Sequence, residues 1–278
     1  QLDLPTDKPR PDTASFEGAA HLVDLGPSLS AAARAAGRKT GATPFMVLLT
    51  AFAIVMARRS GQDDLAIGAP IAGRTQPEIE GLIGFFVNSL VFRIDATGAP
   101  TFAELLERVR DTCLDAYQHQ ELPFERLVEE INPSRDPSRN PLFQITFQLV
   151  NAPTLGASCG GDAGPQVHRG SAIFDLAFTL LDAPDSYRGM IEYSTDLFEA
   201  DTIARITDEF MVLLEAAADS PDTPISWLPL CAESDWDIID VHELGPQVAP
   251  PDSPCHVLDE ITARAQDTPE AIALELGS

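Results

Sequence analysis

Cysteine is scarce in this chain. The 278 residues hold four, Cys113, Cys159, Cys231 and Cys255, far apart and without a C-x-x-C pair. That spacing argues against a disulfide framework and a thiolate zinc site, and it fits free thiols in a reducing, cytoplasmic compartment. Basic side chains are few: 18 Lys and Arg face 43 Asp and Glu, a net charge of −25. A surface this acidic repels nucleic-acid phosphates and anionic lipid, so neither nucleic acid nor a membrane is expected as a partner. The five histidines, His21, His119, His168, His242 and His256, never fall at metal-ligand spacing, and H-E-x-x-H is missing. No metal site is expected. Walker-type and dinucleotide glycine loops are also missing. Gly156 to Gly160 spells G-x-S-x-G, yet the strand before it and the helix after it that a nucleophile elbow needs are not predicted.

A long apolar run is lacking too. Thr40 to Ala57 carries no charge, but its dense part, Pro44 to Ala57, spans roughly 21 Å as a helix against a hydrocarbon layer of roughly 30 Å. Thr43 as N-cap, Pro44 in the first turn and Gly61 beyond Arg58 and Arg59 predict a buried soluble helix. There is no initiator methionine and no signal segment, and both ends read as cut from a longer chain. The charge is uneven: residues 1–140 carry −5, residues 141–232 carry −10, and the last 46 residues another −10. The terminal stretch therefore differs in kind from what precedes it.

What is present reads as α/β. Residues 1–20 are Pro-rich and extended. Helices are predicted over Pro27–Arg38, Thr43–Arg59, Thr101 to about Tyr117, a short stretch after Pro123, Asp201–Ala218, and His256–Ala265. Thr101 with Glu104 makes a capping box, and Phe102, Leu105, Leu106, Val109, Cys113, Leu114 and Tyr117 form one stripe behind it. Asp201 is read as the cap of the long helix, with Ile203, Ile206, Phe210, Leu213 and Leu214 inward. Strands are predicted at Leu65–Ile67, running into a loop through Gly68, Pro70 and Gly73, at Val87–Ile94 as a central strand, and at Phe143–Val150. A further pair, Ile173–Leu181 and Arg188–Tyr193, is joined by Pro184-Asp185. Residues 151–170 read as a Gly/Ala/Pro loop, and 232–254 as an acidic linker.

Four stretches place polar groups where packing alone does not ask for them. Gly68 to Arg74 ends a strand on one fixed cation. Ile83 to Ser89 sets an amide, Asn88, and a hydroxyl, Ser89, at the mouth of an apolar strand, and a buried amide needs partners. His119 to Glu125 breaks a helix at Pro123, and Arg135 to Leu142 combines opposite charges with turn formers. In this order the chain resembles the C-terminal half of a nonribosomal peptide synthetase condensation domain. Leu2 to Pro11 matches that family's Leu-x-Leu-Pro-Thr-Asp-x-Pro-Arg-Pro opening, Ser60 to Asp64 its Ser-Gly-Gln-Asp-Asp, and Ala72 to Arg74 its Ala-Gly-Arg. Ile83 to Ser89 matches Ile-Gly-x-Phe-Val-Asn-Thr with Ser89 for threonine. His119 to Glu125 matches the His/Asn-Gln-Asp-x-Pro-Phe-Glu motif with Glu121 for aspartate. Arg135 to Leu142 matches Arg-Asp-x-Ser-Arg-Asn-Pro-Leu in full. His256 to Leu274 is similar to the opening of an adenylation domain.

The resemblance implies a chloramphenicol-acetyltransferase-like C-terminal lobe, a mixed sheet flanked by helices. It implies a condensation subdomain over 1–231, a linker over 232–254 and the start of an adenylation domain over 255–278. The activity it implies is amide formation between an acyl or peptidyl thioester and an aminoacyl thioester. Both are carried on phosphopantetheine arms of donor and acceptor carrier proteins, with no cofactor bound directly. The family's His-His-x-x-x-Asp-Gly motif, on the other lobe, occurs nowhere in this sequence. No catalytic residue is therefore expected here, and the missing N-terminal lobe and the downstream adenylation domain are expected partners. Asn88 and Ser89 are expected to line the substrate tunnel. Arg74, Gln120, Pro123, Phe124, Arg135, Asp136, Ser138, Arg139 and Asn140 are expected to be structural, with Arg135, Asp136, Arg139 and Asn140 fixing the loop that closes the tunnel and Arg74 an ion-pair candidate for the other lobe. An epimerisation domain and a non-catalytic recruitment domain are the alternatives.

Overall fold

The computed structural model describes residues 2–74, 77–132, 136–151 and 170–231. All lie in the first of the chain's two compact units, Gln1–Ala232. The readings of G-x-S-x-G, of the linker, of the last helix and of the 151–170 loop, apart from its two end residues, lie outside that description, as does Arg135, and Asn151 closes a strand. The elements are β1 (Gly18–Asp24), α1 (Gly26–Thr40), α2 (Pro44–Ser60), β2 (Asp64–Ile71), α3 (Pro77–Glu80) and β3 (Asn88–Asp95). They continue as α4 (Phe102–Gln118), α5 (Phe124–Ile131), β4 (Ile145–Asn151), β5 (Leu176–Asp182), β6 (Tyr187–Ser194) and α6 (Ala200–Asp219).

Six strands form one mixed sheet in the order β1-β6-β5-β4-β2-β3. The β2/β4 and β4/β5 pairs are parallel and the others antiparallel. The core is built around α2, on which every residue from Met46 to Ala57 is buried. A helix apolar all round must have neighbours on several sides, and here α1, α4, α6 and the sheet supply them. Phe52, Phe147, Phe178 and Phe210 interlock at its centre with ring centroids 5.0–5.6 Å apart. Thr43 and Gly61 bound the helix as expected, the threonine hydroxyl accepting from the Met46 N–H and Gly61 turning left-handed at φ 67°. Among the described residues no single helix is long and apolar enough to cross a membrane.

Several expectations change. The strand β3 lies at the sheet edge and is not central. Its near-continuous apolarity comes from both faces: Leu90, Phe92 and Ile94 are buried, while Val91 is half-buried and Arg93 turns out to pair with Asp64. The strand β2 runs on through Gly68 and Pro70. Pro70 pairs with Ser89 on the β3 side, and the ladder to β4 is confined to Ile67 and Gly68, so no bond to β4 is lost to the missing N–H. Leu114 is exposed, so the α4 stripe is narrower than its sequence suggests. The strand β1, with small Ala19 and Ala20 in an edge position, lies in a stretch whose sequence does not read as strand.

The cap of α6 is also different. Glu199 is its N-cap and makes no side-chain bond there. Asp7, far away in sequence, supplies the acceptor, taking the Glu199 N–H at 2.8 Å and the Thr202 hydroxyl at 2.9 Å. These bonds, led by the Glu199 N–H, hold the Asp7 carboxyl below the usual aspartate range. A depressed carboxylate stabilises the fold above its unfolded pKa and loses that contribution as pH falls through its folded value. Asp7→Asn is therefore expected to lower the urea midpoint at pH 7 and to reduce its decline below about pH 4. An acid limb identical to that of the parent chain would show that Asp7 carries no such linkage.

Candidate functional site

The four polar stretches converge on two places. At the β3 mouth, Asn88 Nδ2 donates to the carbonyls of Gln120 (3.0 Å) and Leu122 (2.8 Å), and its Oδ1 accepts from the Phe124 N–H (3.0 Å). Both amide hydrogens are used, so Asn88 clamps the helix break between α4 and α5. Pro123 is the N-cap of α5. Its carbonyl accepts from Arg126 and Leu127. Ser89 faces Pro70 across the ladder.

The loop between β2 and β3 is held from inside. Arg74 donates to the carbonyls of Ile79 and Leu82, the latter at 2.8 Å, and its guanidinium lies 4.4 Å over the Phe86 ring. Gly73 has φ 64°, and a Cβ there would sit 1.9 Å from the Phe86 carbonyl oxygen, so only glycine lets the loop return across it. With Arg74, Gly73 and Asn88 anchoring its ends, the loop turns Ile83 and Phe85 outward at 105% and 87% exposure, with Leu82 and Val87 half out beside them. Contiguous large apolar groups on a braced loop mark a contact surface.

The second place is the Asp136–Leu142 turn. The Ser138 hydroxyl and N–H bond Asp136 and hold its carboxyl below the usual range. The Arg139 guanidinium reaches the Leu2 carbonyl and Asp3, and Asn140 donates to the Ile173 carbonyl. Sequence reading gives Arg10, Asp175 and Gln144 no role, yet they carry this junction. Arg10 makes a two-pronged pair with Asp175 at 3.0 and 2.5 Å and also bonds the Ser138 carbonyl. Gln144 joins the Leu2 N–H to the Asn140 carbonyl. The leading segment is thus a strap tied down beside β4 through Leu2, on α6 through Asp7, and beside β5 through Arg10. Aromatic contacts connect the two places: Phe124 tilted against Phe143 at 5.4 Å, and Phe143 stacked on Phe174 at 5.5 Å. The Phe143 ring fills the space over Gly68, where a Cβ would come within 2.2 Å of it.

Beside the β3 mouth, at the same sheet end, a cleft of about 490 Å³ opens between the α1–α2 turn, the end of α4 and the strands. Phe45, Ile71, Tyr117 and Leu149 form its half-buried walls and Phe92 and Phe147 its floor. Burial pushes the Tyr117 phenol up to about 12, so it stays protonated and can donate. Sequence reading puts Tyr117 on the packing stripe and does not foresee the cleft, because the cleft forms only where the ends of four elements meet.

A mixed six-stranded sheet with its helices packed around a central α2 is the chloramphenicol-acetyltransferase-like arrangement, shared with solved condensation-type domains. The X-domain from teicoplanin biosynthesis superposes with a TM-score of 0.75 at 27% identity, over 82% of this chain and 53% of that one. AB3403, a four-domain nonribosomal peptide synthetase, gives 0.75 over 83% of this chain and 19% of its own, at 23% identity, a likeness of fold alone. The family model described as "Condensation domain" matches residues 1–236, and the chain belongs to that family. A linear gramicidin synthase of Brevibacillus parabrevis is 38% identical over 99% of this chain, and phosphinothricin tripeptide synthetase PhsB of Streptomyces viridochromogenes is 39% identical over 98%. The chain spans 6% and 24% of those two proteins, and about half of the solved X-domain.

Proposed function

We propose that residues 1–231 are the C-terminal lobe of a condensation domain that forms peptide bonds between carrier-bound thioesters, with 232–254 a linker and 255–278 the start of an adenylation domain. In that reaction the acceptor α-amine attacks the donor thioester carbonyl. A C–N bond forms, the C–S bond breaks, the donor arm leaves as a thiol, and the amine sheds a proton. Orientation of the two thioesters and stabilisation of the oxyanion account for most of the rate in such a step. This lobe's share is positional: Asn88, Arg74 and the Asp136–Asn140 turn brace one wall of a passage for the phosphopantetheine arms. The general base and the His-His-x-x-x-Asp-Gly motif belong to the first lobe, and the setting is the cytoplasm.

The braced apolar loop with Ile83 and Phe85 outward carries this reading. Its side chains stand nearly free of the lobe that holds them, as a surface for another lobe requires. Epimerisation is less favoured because residues 256–274 are similar to an adenylation start, and recruitment without catalysis needs a degenerate histidine motif upstream. The purified chain, given donor and acceptor carrier proteins loaded with amino acids, is expected to make no dipeptide above background, while the two-lobed domain does. Turnover by the chain alone overturns the assignment.

A further inference from the structure

The cleft beside Asn88 has a chemistry of its own. Its floor and walls are aromatic and aliphatic, and at about 490 Å³ it is in the size range of small-molecule sites. Among the described residues its one carboxylate is Asp182, which is spoken for by Arg34 at 2.7 Å. Among those same residues no cation lines it. The Tyr117 ring packs edge-on against Phe92, and its hydroxyl has no hydrogen-bond partner among the described residues. Thr43 and Gln148 add uncharged polar groups, so the cleft offers apolar contact and neutral hydrogen-bonding groups, and among the described residues no unpaired charge to offset one on an occupant. Ile71, on its wall, pairs with Asn88 in the ladder, which places the cleft next to the braced passage.

From this lining we infer that the cleft is a selectivity pocket for an uncharged, apolar side chain on a thioester-bound aminoacyl group. Phe45, Ile71 and Leu149 grip the side chain and the Tyr117 hydroxyl donates to a carbonyl of the same ligand. The inference rests on the condensation reading for the thioester, but the pocket's preference for neutral apolar groups is a binding property of this chain alone. Acidic and basic side chains are disfavoured by the cost of desolvating an unpaired charge against this lining.

The test is ¹⁹F NMR on the whole chain labelled with 3-fluorotyrosine. The chain has three tyrosines. Tyr117 borders the cleft, and the buried Tyr187 and Tyr193 serve as internal references. Titration with the N-acetylcysteamine thioester of N-acetyl-leucine is expected to move the Tyr117 signal saturably and leave the other two in place. The aspartyl analogue is expected to bind at least about tenfold more weakly, a difference of 1.4 kcal/mol. Ile71→Trp, a filling change at a half-exposed wall position, should abolish the shift. Tyr117→Phe, followed by calorimetry, should weaken leucyl binding several-fold while keeping the preference over aspartyl. No movement of the Tyr117 signal, or equal affinity for the charged analogue, overturns the pocket. Saturable binding by a chain whose two-lobed parent forms no amide would overturn the condensation reading and leave the pocket standing. Amide formation without a Tyr117 shift would do the reverse.

Discussion

Asn88→Ala in the two-lobed domain is expected to cut condensation at least about tenfold while the protein stays folded. The side chain has given both amide hydrogens to the Gln120 and Leu122 carbonyls and its oxygen to the Phe124 N–H. Alanine releases three bonds worth about 1 kcal/mol each at most, and less where water can replace them. Gln120 and Leu122 lie close enough to solvent for such replacement, so a global loss of about 2 kcal/mol is expected in urea unfolding of this chain. The kinetic loss comes from a different source. Without the clamp the break between α4 and α5 is free to shift, and displacement of about 1 Å in a wall that orients reactants can cost about 100-fold in rate. Asn88→Asp sharpens the test, since it keeps the acceptor for Phe124 but can donate to neither carbonyl. Full activity in both variants would reduce Asn88 to a packing residue.

Asp175→Ala is expected to be the most destabilising change at the strap, by about 3 kcal/mol at neutral pH. The carboxylate and the Arg10 guanidinium are only 12% and 18% exposed at the side chain. Removing one partner leaves a poorly hydrated cation beside the Ser138 carbonyl. In the double variant Arg10→Ala/Asp175→Ala the stranded charge is gone, so its loss should be well below the sum of the single losses. Urea midpoints of the four proteins give the coupling directly. Additive losses would mean that the pair contributes nothing beyond its separate contacts. Because Arg10 lies in the strap, Asp175→Ala is also expected to expose the Leu2–Pro11 segment to proteolysis ahead of the core.

The elements most legible in the sequence are those fixed by local rules. The α2 helix is readable end to end because a cap, a first-turn proline, a terminal glycine and an unbroken apolar run all agree. The Thr101 and Glu104 capping box places the start of α4 to the residue. The Pro123 break and the β5–β6 hairpin follow from turn chemistry. Less legible are β1, whose alanines carry little strand preference, and the edge position of β3, since apolarity on both faces of a strand is the same signal that a buried one gives.

Residue order also places the motif residues near one another along the chain, but their partners come from elsewhere. Asn88 is a tunnel-lining residue by sequence expectation and a clamp in the fold, because its partners are backbone groups more than thirty residues away. Asp7 caps a helix 192 positions further on, and Arg10 meets Asp175 at a separation of 165. Local propensity, periodicity and charge balance by themselves settled most of the elements and the acidic character, and the matched motifs carried the family likeness. Which polar groups meet, which strand lies outermost, and where an aromatic cleft opens were decided by tertiary structure alone. Those features depend on how sheet order and helix packing bring distant strand and helix ends together, and no short-range pattern encodes that.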